Sequence, residues 1–272
     1  MKTFCVTVQT CGYQHDSPKK FKNEANAQMK ISVYKNSQEL GMNAAHYVAG
    51  LLNEAISAKG KARLLLSTGA SQFDTLSELV KEKVDWNKIE MFHLDEYIRL
   101  SDTHIASFRK YLKERFISQV PLKKVYLVDG EGNIQDNIRK LTNELRKEPV
   151  DVGLIGIGEN AHIAFNDPPA DFDTKEAYIV VDLSEKCKMQ QVGEGWFPTK
   201  EDVPMQAISM TVYQIMQCNA IVSCVPHKVK AQAIKLTIEN DVTNRIPATI
   251  LKTHAKAVLF LDADSASLLE SI

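Results

Sequence analysis

The stretch ARLLLSTGASQFDTLSELVKEK, residues 62–83, decides the fold. Ala62 to Leu66 is an apolar run of strand length. Ser67-Thr68-Gly69-Ala70-Ser71 is a turn of small residues, and from Phe73 to Lys83 the apolar positions recur at helical spacing. A strand that is apolar throughout has no solvent face, so a sheet made of such strands must be covered on both sides.

The same alternation extends in both directions. Upstream, Ile31 to Tyr34 reads as a short strand, Asn36 with Glu39 as an N-cap pair, and Gly60 as the end of a helix carrying Leu40, Ala44, Val48 and Leu52. Downstream, strands are expected at Ile89–Leu94, Val125–Val128, Val152–Ile157, Tyr178–Val181, Ala220–Val225 and Ala257–Leu261. Helices are expected at His104–Phe116 and Asn133–Lys147. The pattern predicts an α/β fold over 29–272: a single doubly wound, mostly parallel sheet with helices on both faces, Rossmann-like. Residues 1–28 read as an N-terminal extension, polar and lysine-rich after Cys11 and interrupted by Pro18.

Composition bounds the function. Hydrophobic residues make up 44% and charged residues 25% of 272, values of a globular protein, so disorder, coiled coil and collagen are excluded. Thirty-three basic and 34 acidic side chains leave a net charge of −1, with no surplus to hold a polyanion. Nucleic acid is therefore not the expected partner. No apolar run approaches the roughly 18 residues that cross a bilayer, and the apolar start breaks at Gln9, so no membrane partner and a cytoplasmic location are expected. Five scattered cysteines (Cys5, Cys11, Cys187, Cys218, Cys224) form no CxxC pair and read as reduced, buried thiols.

In doubly wound sheets ligands bind beyond the carboxyl ends of the strands, here the loops after Leu66, Leu94, Ile157, Val181 and Val225. Ser67 to Ser71 reads either as a phosphate cradle of backbone N–H groups or as an ordinary turn with a hydroxyl cap. Asp95 and Glu96 are either a base and a substrate-binding neighbour in a dry cleft or two solvated acids. Gly156-Ile157-Gly158-Glu159-Asn160-Ala161 imitates a dinucleotide fingerprint, but Pro168-Pro169 ends the segment before the required crossover helix. The glycines, Gly158 among them, instead suit a backbone approaching a small ligand, with His162 and Asp167 on the same rim.

Taken together, these loops resemble the glucosamine-6-phosphate deaminase/isomerase family. The words that carry the likeness are Ser67-Thr68-Gly69-Ala70-Ser71, Phe92-His93-Leu94-Asp95-Glu96-Tyr97, His104 with Ser107-Phe108, His162-Ile163-Ala164-Phe165-Asn166-Asp167-Pro168, and the helix start Lys230-Ala231-Gln232-Ala233. The resemblance implies ring opening of an amino-sugar 6-phosphate, transfer of a proton from C2 to C1, and release of ammonia. Asp95 matches the base that moves the C2 proton, His162 the base that opens the ring, and Asp167 its acidic helper. Ser67 to Ser71 and Lys230 match phosphate ligands, and Lys188 falls near a phosphate-binding arginine. No metal and no organic cofactor is implied, and the partner is a small-molecule sugar phosphate. Family members range from monomers to hexamers, so self-association stays open.

The chain departs from the family's pattern at Asn160, usually an aspartate, and at Ala161, usually a glycine. Asn160 is similar to the galactosamine-6-phosphate branch. It could also mark a lapsed enzyme, in which case Asn160→Asp would restore activity. Hydrolysis of a sugar-phosphate lactone and non-catalytic sensing of a sugar phosphate are the competing readings.

Overall fold

Asn36 follows β1 (Lys30–Tyr34) in an extended conformation, and its side chain accepts a hydrogen bond from Glu39 N at 2.9 Å. Glu39 Oε2 accepts in turn from Lys35 N at 3.1 Å, so the two side chains close the start of α1 (Ser37–Lys59) reciprocally. Gly60, at φ 75°, ends the helix in the left-handed region and donates to Ile56 O. The computed structural model describes residues 29–269; the extension read over 1–28, with Cys5 and Cys11, lies outside the described residues.

The remaining strands are β2 (Ala62–Leu66), β3 (Ile89–His93), β4 (Asp95–Tyr97), β5 (Lys124–Tyr126), β6 (Val152–Ile155), β7 (Tyr178–Asp182), β8 (Gln206–Met210), β9 (Ala220–Val225) and β10 (Ala257–Asp262). The helices are α2 (Phe73–Leu79), α3 (Phe108–Leu112), α4 (Ile134–Leu145), α5 (Glu185–Gly193), α6 (Val212–Ile215) and α7 (Ala231–Glu239). Seven strands form one parallel sheet in the order β1-β10-β9-β6-β2-β3-β5. Side chains alternate across it. Leu65, Phe92, Ile155, Ile221 and Leu259 belong to one core. Leu64, Leu66, Met91, Leu154, Val222 and Phe260 belong to the core on the other face. Two buried faces explain why the strands read as unbroken apolar runs, and the expected doubly wound α/β fold is the one observed.

Strand order reverses between β2 and β6. After β2 the chain builds outward to β3 and β5; β6 then adds on the other side of β2, followed by β9 and β10. The two loops that leave this switch point, after Leu66 and after Ile155, diverge and open a crevice, the usual place for a ligand in such sheets.

One expected strand belongs elsewhere. Tyr178–Val181 lies in β7, which pairs antiparallel with β8, and β8 with β4, in a separate three-stranded sheet. An apolar run alone does not distinguish the two sheets. The helix expected from His104 begins only at Phe108, because Ser107 caps it by accepting from Lys110 N, and a π-helical turn (Lys113–Ile117) continues it.

At the start of α3 lies a buried ion pair, Glu96 with Arg109, that reaches out to two half-exposed carboxylates. Glu96 accepts from Tyr97 N, Ser107 Oγ, Phe108 N and Arg109 N at 2.8–3.2 Å, and Arg109 Nε stands 3.3 Å away. The Arg109 guanidinium also reaches Asp129, Glu131 and Leu100 O, each at 2.8 Å. Burial raises the Glu96 carboxyl pKa, and the hydrogen bonds oppose that rise. Glu96→Ala is expected to lower the unfolding free energy by about 3–5 kcal/mol, because Arg109 then loses a buried counter-charge and the start of α3 its acceptor. Glu96→Gln, which keeps an acceptor, is expected to lose less. Urea denaturation of the three proteins checks the ranking.

Candidate active site

The crevice at the switch point is a cleft open to solvent. Ser67, Thr68, Gly69, Ala70 and Ser71 line one wall. Ser67 N still donates to Leu154 O at 3.0 Å, which extends the β2–β6 pairing one residue beyond the strand. Gly69 then turns the chain at φ 101° into a 3₁₀ turn (Ala70–Gln72) that runs on into α2. The turn is braced from behind. Gly69 O accepts from Gln72 N and Tyr111 Oη at 3.0 Å, and Gln72 Nε2 bonds Ser71 Oγ and Cys224 O at 3.1 Å. A helical start with free N–H groups and two hydroxyls beside it suits an anion.

Asp95 comes from the first residue of β4. It is 6% exposed and lines the crevice. No donor among the described residues bonds its carboxylate. Burial, with the charge of Glu96 adding to it, pushes its pKa well above the usual carboxylate range. A carboxylate in that state is a strong base when ionised. Successive strand residues point to opposite faces, so Glu96 faces away into the Arg109 cluster. The expectation that Glu96 contacts a ligand is thereby corrected. His93, deeper on β3, is also no acid or base: burial and nearby Arg109 push its pKa down to about 3.

The loop after β6 presents His162. Gly158 N donates to His162 O, Ala161 N donates to Gly158 O, and Ala161 sits at φ 63°. A Cβ on Gly158 would lie 2.2 Å from His162 Nε2, so this glycine makes room for the imidazole as well as lining the crevice. His162 Nδ1 stands 2.9 Å from Asp167 Oδ1, a close contact that is not aligned as a hydrogen bond. Asp167 Oδ1 also accepts from Asn160 Nδ2 at 3.0 Å, and Oδ2 accepts from Ser184 Oγ at 2.5 Å. Partial burial works against ionisation of Asp167, but His162, Asn160 and Ser184 outweigh it and hold the carboxyl well below its usual pKa. Asn160 makes no hydrogen bond to the imidazole. Its amide bridges Asp167 to the backbone N–H of His162, which it accepts at 3.2 Å. Asn160 and Asp167 thus support His162 from behind rather than line the crevice.

The remaining wall comes from α5 and the start of α7. Gln190, Gln191, Glu194 and Lys230 line the crevice; only Lys230 was expected there. Lys188 is not on the wall. Cys187, Gln191 and Glu194 share one stripe of α5 at i, i+4 and i+7, and Lys188 is rotated about 100° from it, its Nζ 3.5 Å from Glu185 Oε1. That spacing was present in the sequence as the signal for Gln191 and Glu194. Lys230 is 6% exposed, and burial lowers its pKa against the opposing pull of Glu194 and Glu159.

Cys187, Cys218 and Cys224 are buried and free, and burial raises all three thiols, the last two to about 12. They are not thiolate nucleophiles. No helix among the described residues is long and apolar enough to cross a membrane. No group of three or more His, Cys, Asp or Glu side chains among them is arranged to hold a metal ion.

A glucosamine-6-phosphate deaminase of Streptococcus uberis is 33% identical over 243 residues, covering 89% of this chain and all of that protein. One from Streptococcus pneumoniae is 33% identical over 214 residues, 78% of this chain and 89% of its own. Among solved structures, a monomeric glucosamine-6-phosphate deaminase superposes with a TM-score of 0.80 at 27% identity, covering 88% of this chain and 100% of that one. A 6-phosphogluconolactonase of Trypanosoma brucei shares the fold, with a TM-score of 0.74 at 17% identity, over 89% of this chain and 99% of its own. Residues 35–260 match the family of glucosamine-6-phosphate isomerases and 6-phosphogluconolactonases, and the chain belongs to that family.

Proposed function

We propose that the chain is an amino-sugar 6-phosphate deaminase/isomerase acting on glucosamine 6-phosphate or its galacto epimer. The observation that carries this reading is Asp95: a desolvated carboxylate without a donor, facing the crevice from the strand end beside an anion-binding turn. Lactone hydrolysis needs no base for a carbon acid; moving a proton from carbon does. The deaminases among the relatives support the same choice.

In this reading the phosphate lies on the Ser67–Ser71 turn with Lys230 beside it. His162, held by Asp167, takes the proton of the anomeric hydroxyl as the ring opens and returns it to the ring oxygen. Asp95 then removes the C2 proton; the C2–H electron pair forms the C1–C2 double bond, the carbonyl oxygen O1 takes up the proton that the C2 ammonium gives up, and an enolamine results. The same carboxyl returns the proton to C1, leaving an imine at C2. Water adds to C2, ammonia departs, and the ketose 6-phosphate is left. Positioned acids and bases suffice for every proton moved.

Asp95→Asn is expected to lower ammonia release by about 10²- to 10⁴-fold while the sugar phosphate still binds. A coupled ammonia assay over both epimers, with calorimetric binding alongside, reads both quantities. Wild-type protein that hydrolyses 6-phosphogluconolactone and frees no ammonia from either epimer would sink the reading.

Gly158→Ala forces the His162 ring aside, so kcat is expected to fall by about 10²-fold with thermal unfolding little changed. Wild-type turnover in that variant would show that His162 is not held for chemistry.

Asn160→Asp is expected to reduce activity, in contrast to the restoration that the family's pattern suggests. The new carboxylate would meet Asp167 at the 3.0 Å now spanned by the amide. When protonated it can donate to Asp167 as Asn160 does; when ionised it repels it. The variant's kcat should therefore approach wild type at low pH and fall by roughly tenfold as pH rises through the raised pKa of the pair. A pH profile with kcat above wild type throughout would refute this.

A further inference from the structure

Glu194 puts a fixed negative charge at the anion end of the crevice. Its Oε1 accepts from Gln190 Nε2 at 2.7 Å and its Oε2 from Trp196 Nε1 at 3.1 Å. Both donors are neutral, so the carboxylate stays in place without help from Lys230, whose Nζ lies 3.9 Å from Oε1. The Trp196 ring packs edge-on against Phe73, the first residue of α2, so the carboxylate's support rests on the helix that follows the Ser67–Ser71 turn. Among the described residues lining the crevice, Lys230 is the one lysine or arginine, whereas Asp95 and Glu194 are both acids. An anion entering there meets donors and hydroxyls but little surplus positive charge.

We propose that Glu194 is a specificity-determining residue that makes the crevice discriminate against sugar phosphates lacking an ammonium group. The inference rests on the sugar-phosphate reading of the crevice. A dianionic ligand feels the full repulsion of Glu194. A ligand that also carries an ammonium recovers part of it, because that cation is attracted by the same carboxylates. The consequence falls on turnover as well as on choice. Loss of ammonia strips the product of its positive charge, so Glu194 disfavours the product more than the substrate.

Glu194→Gln tests this while keeping side-chain size; Gln190 can rotate its amide to face the new one, giving up only its 3.3 Å contact with Glu159 N. The probes are glucitol 6-phosphate and 2-amino-2-deoxyglucitol 6-phosphate, which have no carbonyl, are not turned over, and differ only in the amine. Calorimetry is expected to show glucitol 6-phosphate binding about tenfold tighter to the variant, and the amino compound gaining no more than about threefold. Glu194→Ala is measured in parallel, and a variant counts only if its thermal unfolding remains cooperative. Unchanged or weaker binding of glucitol 6-phosphate overturns the proposal, as does an equal gain for both probes. Failure of the ammonia assay would remove the deaminase reading and leave this comparison of charge standing.

Discussion

Leu94 belongs to two sheets at once. Its N–H donates to Leu66 O, continuing the parallel pairing of β3 with β2, and its carbonyl accepts from Met210 N at the end of β8. The chain therefore passes from the seven-stranded sheet to the three-stranded one across one residue, with both backbone groups occupied. Asp95 is the next residue, and its backbone pairs at once with Ser209. A side chain on an ordinary loop would be free to find water. Here the backbone on both sides is hydrogen-bonded, so the carboxylate is carried to the rim of the crevice and kept there, desolvated.

The contrast with Glu96 shows what that position means. Two adjacent carboxylates, both buried, meet opposite surroundings because the strand alternates its faces. Glu96 finds the first N–H groups of α3 and the Arg109 guanidinium, and its charge holds two elements together. Asp95 finds none of these. A fold optimised only for stability would pair or delete such a group, since a buried polar group without a partner costs free energy whether or not it is charged. Its presence at a switch point, opposite a turn suited to anions, is what packing alone does not account for.

Much of this was legible in the sequence. The caps at Asn36 and Gly60, the unbroken strands and the turn after Leu66 follow from local chemistry that nothing distant overrides. The small sheet was hidden because β7 is an apolar run like the others, and its pairing with β8 depends on partners 28 residues or so away in the chain, which periodicity does not register. Glu96 was misplaced for want of a strand assignment at Asp95–Tyr97; once the strand is known, alternation alone turns it away. Lys188 was misplaced similarly, by one residue on a helix whose stripe runs through Cys187, Gln191 and Glu194.

The support of His162 follows a different logic from the one the motif suggests. With an aspartate two residues before the histidine, a carboxylate would come from the near side of the loop. In this chain Asp167 supplies the charge, and Asn160 spends its two polar ends on Asp167 and on the backbone of His162. One negative charge faces the imidazole in place of two crowded ones. Ser184 completes the set: it accepts from Cys187 N as the cap of α5 and donates its single proton to Asp167. The helix that brings Glu194 to the crevice thus begins on the carboxylate behind the imidazole. Its first turn is tied to the support of His162 and its last residues line the crevice, so the spacing between the two is fixed by about three turns of hydrogen-bonded backbone, helix and flanking caps together, rather than by the reach of any flexible side chain.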